Sequence, residues 1–199
     1  MTHKDQMTHK KQMTRKKQMT IKGDLALLAS RAVLGSYLAT HGAQKLFGSF
    51  GGGGLEKTGA GFHQIGLRPG HVMARVAGAS EFGGGLLTLA GAASPLGPVT
   101  LLGTMAVAST THRANGPLAA NRGYELALTN AASALVLAVT GPGRFSVDAI
   151  FGTRLPRWLT AATIAGGLAA SAASIRMLLT FKPEPPGEAG PEPAAATSS

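Results

Sequence analysis

The chain has 199 residues, is 44% apolar and 5% aromatic, contains no cysteine and carries a formal net charge of +10. The absence of cysteine excludes disulfides, thiolate metal sites and an intrinsic dithiol redox centre. Of the +10, +6 sits in residues 1–22 (seven Lys/Arg, one Asp), while Ala, Gly, Leu, Val and Thr dominate the rest with few rings to stack on bases, so no nucleic-acid partner is expected.

The first residues read MTHKDQ, MTHKKQ, MTRKKQ and MTIKGD, a six-residue unit that decays after three copies. Residues 1–22 are therefore expected to be a disordered basic arm. Beside an anionic leaflet each Lys or Arg would contribute about 1 kcal/mol, less in salt. Every unit begins with Met, so Met1, Met7, Met13 and Met19 are all possible translation starts. A start at Met19 removes nothing from the apolar part, and the repeat is read as dispensable.

Five apolar stretches follow, at 25–50, 71–93, 98–113, 124–141 and 158–181. A hydrocarbon core of about 30 Å needs about 20 apolar residues in a helix. The first, second and fifth stretches reach that length, and the third and fourth span as parts of a packed bundle. From Leu86 to His112 there is no Asp, Glu, Lys or Arg, which a soluble helical bundle would require on its outer faces. Period-two alternation is absent, which argues against a lipid-facing barrel. The expected fold is an all-α membrane protein. Lys/Arg in the flanks favour a cytoplasmic N-terminus, ten inside against five outside, and the bias rests on the repeat.

Between the first two stretches lies FGGGGLEKTGAGFHQIGLRPG. Its glycines lack the Gly-Lys-Ser/Thr of a phosphate loop. Leu55, Phe62, Ile65 and Leu67 recur at helical spacing, so 51–70 is read as an outer loop with a short interfacial helix. On the last stretch Ala162, Gly166, Ala170 and Ser174 repeat every four residues, a docking face for the bundle or for a second copy. The Pro-, Glu- and Ala-rich residues 183–199 are expected to be disordered.

Ionisable residues inside spanning helices are costly and mark functional sites by default. The candidates are Arg31, His41, Lys45, Arg75, Glu81, His112 and Glu125. With the N-terminus inside, all but Arg31 fall in the middle or outer half of the bilayer. His41 and Lys45, four apart, share a face. Glu81, the deepest carboxylate, needs a cation or a proton. Glu81 and His41 are the candidate proton-handling pair, and Lys45, Arg75, Arg31, His112 and Glu125 the surrounding polar cluster for a cofactor. A polar clasp that only holds helices together is the competing reading. No metal site is expected, since neither a Glu-x-x-His nor a His-x-x-x-His pair exists.

In order, Arg31 with Gly35, HGAQKLFG (His41–Gly48), GLEKTGAGFHQIGLRPG, EFGGGLLTLAG (Glu81–Gly91), His112, Glu125 and GPGRFSVD (Gly141–Asp148) resemble the DoxX family of bacterial membrane proteins. The resemblance implies a four-helix transmembrane core over 23–150, with His41, Lys45 and Glu81 at the family's polar positions, in the bacterial plasma membrane. Residues 151–182, an extra transmembrane helix, and the repeat lie outside it. It further implies quinone-linked or oxidative-stress redox chemistry, with a quinone as cofactor and membrane or soluble redox subunits as partners. A non-catalytic scaffold that docks soluble redox enzymes is the alternative. A transporter ranks last, because no inverted repeat is visible.

Overall fold

The computed structural model describes residues 3–182. Its helices are α1 (His3–Phe47), α2 (Gly54–Gln64), α3 (Gly70–Ala90), α4 (Leu96–Thr111), α5 (Glu125–Thr140), α6 (Val147–Phe151) and α7 (Arg157–Thr180). No strand occurs among the described residues. The five apolar stretches become α1, α3, α4, α5 and α7. Of these, α7 is long and apolar enough by composition to cross a membrane, while α4 and α5 are apolar but shorter. The lengths of α1 and α3 suffice, but Gly, Ala, Ser, Thr and ionisable residues dilute their Leu and Val.

The first departure from expectation is at the N-terminus. The hexads continue α1 back to His3, where a disordered arm was expected. There is no proline in this stretch and no glycine before Gly23. Adding turns to an existing helix avoids the nucleation cost that an isolated peptide meets. At 1.5 Å per residue α1 is about 68 Å long, so its first turns run beyond the bundle. The tail 183–199 lies outside the described residues.

Helix ends follow local chemistry. At φ +64°, Gly91 closes α3; its N–H donates to Thr88 O and that of Ala92 to Leu87 O, satisfying terminal carbonyls. Pro156 sits at the N-cap of α7. Hydroxyls along α4 and α7 donate to their own helix four residues back, as with Thr104 to Thr100 O and Thr163 to Leu159 O. Such back-bonding satisfies hydroxyls where water is scarce.

The apolar core is shared by α1, α4 and α5: Leu34 and Leu38 meet Leu101, Met105, Ala131, Ala134 and Leu137. Helix α3 joins α1 through glycine instead. A Cβ on Gly35 would lie 2.6 Å from Leu89 N, and one on Gly85 2.5 Å from Ala39 N. A Cβ on Gly42 would collide with the backbone of Phe82. These are backbone neighbours, so no rotamer change relieves the clash. Small residues that let helices touch backbone to backbone are a membrane packing device.

Helix α7 packs on α4, and beyond its end Phe181 lies over Gly66 and receives the Arg68 guanidinium 5.0 Å from its ring centre. Of the expected stripe, Gly166, Ala170 and Ser174 line the space beside α4. The adjacent Thr163, Gly167 and Ser171 line it as well, and Ala162 is exposed. Gly103 approaches Ser171, where a Cβ would lie 2.8 Å from Oγ.

Gly42→Ala is expected to lower stability by about 1–3 kcal/mol, the usual cost of overpacking, or to prevent assembly. Gly83→Ala, with nothing within 4 Å of its Cβ, should melt at or slightly above the parent temperature in the same detergent.

Candidate functional site

The Gly78 position brings Lys45 to Glu81: a Cβ there would meet the side chains of Leu46 and Lys45. Lys45 Nζ donates to Glu81 Oε2 at 2.5 Å. Glu81 is 4% exposed, whereas the Lys45 side chain keeps 23% of its surface accessible. The cation that the deep carboxylate requires is therefore Lys45, supplied from the neighbouring helix. No described residue hydrogen-bonds Glu81 Oε1, and that atom is not sealed from the surrounding space.

That space is a cavity of about 430 Å³ lined by Glu81 and Lys45. Its walls are Met73, Val76, Ala77 and Ser80 of α3, Thr100 to Thr111 of α4, and Thr163 to Ser174 of α7. Phe62 and Leu67, expected on an interfacial surface, turn inward and cover one end, with His112 at the same cavity. They do so because α2 packs on α3 and α1 and not away from the bundle.

His41 sits half-buried one turn before Lys45, edge-on to Tyr37 at 4.8 Å between ring centres. The charges of Lys45 and Glu81 reach it. It is beside the pair but does not line the cavity. Arg75 is exposed on α3 and does not join the cluster. Glu125 is exposed as well; its Oε2 accepts from Ala119 N at 2.8 Å and fastens the α4–α5 loop. Arg75 was drawn toward Glu81 by depth alone, and helix rotation separates them.

Arg31 belongs to a second polar node, at the opposite end of the helices. It is 2% exposed and donates to Leu89 O at 3.2 Å and to Phe145 O. Two carboxylates that sequence reasoning passed over complete this node. Asp24 accepts from Arg144 Nε at 2.7 Å and from Arg144 N at 3.1 Å. Asp148 accepts from Ala93 N at 2.9 Å and Ser94 N at 2.8 Å. Ser146 caps α6 by accepting from Ala149 N. The Ser-Val-Asp order is a helix-start signature, and it was the available hint.

Both carboxyls are held below the ordinary aspartate value. For Asp24 the cause is hydrogen bonding by the Arg144 backbone and then its side chain. Burial works against ionisation of Asp148, but hydrogen bonds from Thr153, Ser94 and Ala93 outweigh it.

Residues 26–114 match the family model for DoxX. That stretch holds Arg31, His41, Lys45, Arg75, Glu81 and His112, and it ends before Glu125, the second half of the Arg31 node and all of α7. No curated protein and no solved structure matches the chain.

Breaking a buried ion pair costs about 3–5 kcal/mol; partial exposure of Lys45 reduces this, so Lys45→Met is expected to cost about 2–3 kcal/mol. Adding Glu81→Gln should recover much of that loss, as read by thermal unfolding in detergent. A lowered carboxyl pKa stabilises the fold above the unfolded value, near pH 4, and that contribution disappears as pH falls through the folded value. Asp148→Asn should therefore melt lower than the parent at pH 7 and lose less on acidification to pH 3.

Proposed function

We propose that the chain, whose residues 26–114 match the DoxX family model, is a membrane subunit of that family that holds a quinone beside Glu81 in support of quinone-linked redox chemistry. It crosses the plasma membrane five times through α1, α3, α4, α5 and α7, with its N-terminus cytoplasmic. The observation that carries this reading is a buried carboxylate, paired to one lysine, that opens onto a cavity with mainly apolar walls. Small-molecule sites have this character, about 300–1,000 Å³ with few polar groups to fix orientation.

The residues present fit such a group. Lys45 is a donor for a ring oxygen, and Glu81 Oε1 is an acceptor that no described residue engages. When bound, a quinone supplies two-electron chemistry coupled to two protons. The chain's own part is to orient the ring and to take or give a proton at Glu81. His41, one turn back on α1 and within reach of both charges, passes the proton onward along that helix. His112 is at the cavity's outer end, and α7 with Phe62 keeps bulk water from the pair. The redox partner protein is recruited from outside the chain.

Purified protein in nanodiscs is expected to bind a tail-less naphthoquinone or benzoquinone analogue. Glu81→Gln should weaken that binding at least tenfold, and His41→Ala should alter its pH dependence. If both variants bind like the parent, Glu81 and His41 do not form the site.

A further inference from the structure

The cavity has an uneven wall. Helices α3 and α4 pack together, and α7 packs on α4 without a comparable contact with α3. The result is a slot with α4 as its floor and α3 and α7 as its sides. Leu101 and Gly97 lie against Gly84, which puts Glu81, one turn earlier on α3, level with the Gly103–Thr104 region. Gly103 in turn lies against Ser171 and Gly167. The ion pair thus faces the middle of α7, where Gly166 and Gly167 line the cavity.

These two glycines, like Gly83 on α3, differ from the closely packed glycines of the bundle. At Gly35, Gly42, Gly85 and Gly103 an added Cβ would strike a neighbour closely, so packing explains glycine there. At Gly166 and Gly167 a Cβ would meet nothing within 4 Å. Glycine is the least favourable residue in a helix interior apart from proline, and neither a close helix approach nor a positive φ requires it here. What the two glycines do is leave the slot wide opposite the ion pair.

Resting on the quinone reading above, we infer that α7 makes this slot a lateral berth for a ring-headed amphiphile with a hydrocarbon tail. The ring stands at Lys45 and Glu81. The tail lies across Gly166 and Gly167 and leaves between α3 and α7 into the bilayer. Gly166 and Gly167 are then specificity-determining positions, although α7 lies outside the residues that match the family. The wall suits such a tail. Val76, Ala77, Val107 and Ala108 supply apolar surface. The hydroxyls of Thr104, Thr163 and Ser174 are already donated to their own helices.

The test uses the full chain in nanodiscs and two photoreactive probes with the same diazirine-bearing tail, one with a naphthoquinone head and one with a phosphatidylethanolamine head. The quinone-headed probe should label residues 163–174 of α7 and 73–80 of α3. Gly166→Leu with Gly167→Leu should cut that labelling at least fivefold. The paired Gly→Ala changes, which fit the open space, should keep both binding and melting temperature. Labelling confined to the outer faces of the helices overturns the slot, as does labelling that the Leu pair leaves unchanged. Equal labelling by the phospholipid probe also overturns it, because the slot then holds bulk lipid. If the slot is labelled as expected but the tail-less analogue never binds and Glu81→Gln changes nothing, the berth stands and the proton-handling reading fails.

Discussion

Helices α1 and α3 touch backbone to backbone, and the rest of the molecule is arranged around that approach. Gly35, Gly42 and Gly85 remove the side chains that would hold the two helices apart. With Gly78 also bare, Lys45 on one helix reaches Glu81 on the other at 2.5 Å. A pair of charges withdrawn from water gains little unless its geometry is good. Here the geometry is supplied by backbone contact, which is stiffer than a contact between long side chains. The same approach sends the large apolar residues of α1 toward α4 and α5, where Leu34 and Leu38 build the core. Gly78 and Gly84 face Lys45 and Leu101 respectively, so α3 serves both the seam with α1 and the packing with α4.

The two polar nodes divide the work. At one end Arg31, Asp24, Arg144 and Asp148 bind helix termini and loops to one another, largely through backbone groups. The carboxylates there accept from segments distant in sequence, while Arg31 Nε is buried without a partner among the described residues. At the other end the Lys45–Glu81 pair opens onto empty space, and one carboxylate oxygen has no partner from the described residues. This contrast in surroundings distinguishes the two nodes where burial does not, since Arg31 and Glu81 are almost equally hidden.

Much of this was legible in the sequence, because apolar length and charge depletion are properties of segments. The five stretches became five helices, and the His41–Lys45 face and Glu81 were visible as charges where charge is expensive. Depth followed from counting residues. Rotation about the helix axis did not, and that is where Arg75 and Glu125 separated from the others: each lies at a suitable level but points away from the pair. On α7 the expected Gly166, Ala170 and Ser174 share the cavity wall with the adjacent Thr163, Gly167 and Ser171, and spacing alone named one of these two rows. Asp24 and Asp148 were missed because each is an ordinary acid beside a helix end. Their meaning lies in backbone donors more than fifty residues away in sequence.

The repeat at the N-terminus carries a further consequence of helix cooperativity. Once α1 is anchored by its glycine seam and by Asp24, extending it upstream adds one hydrogen bond per residue without a new nucleus. Lys, Gln and Met tolerate that state well, whereas Thr, the second residue of every hexad, favours it less. Composition alone therefore suggests an unstructured arm, while attachment to a formed helix favours continuation. A later start removes turns from the free end only, because the anchors Asp24, Arg31 and Gly35 all lie after Met19. The seam, both polar nodes and the cavity are built without the hexads.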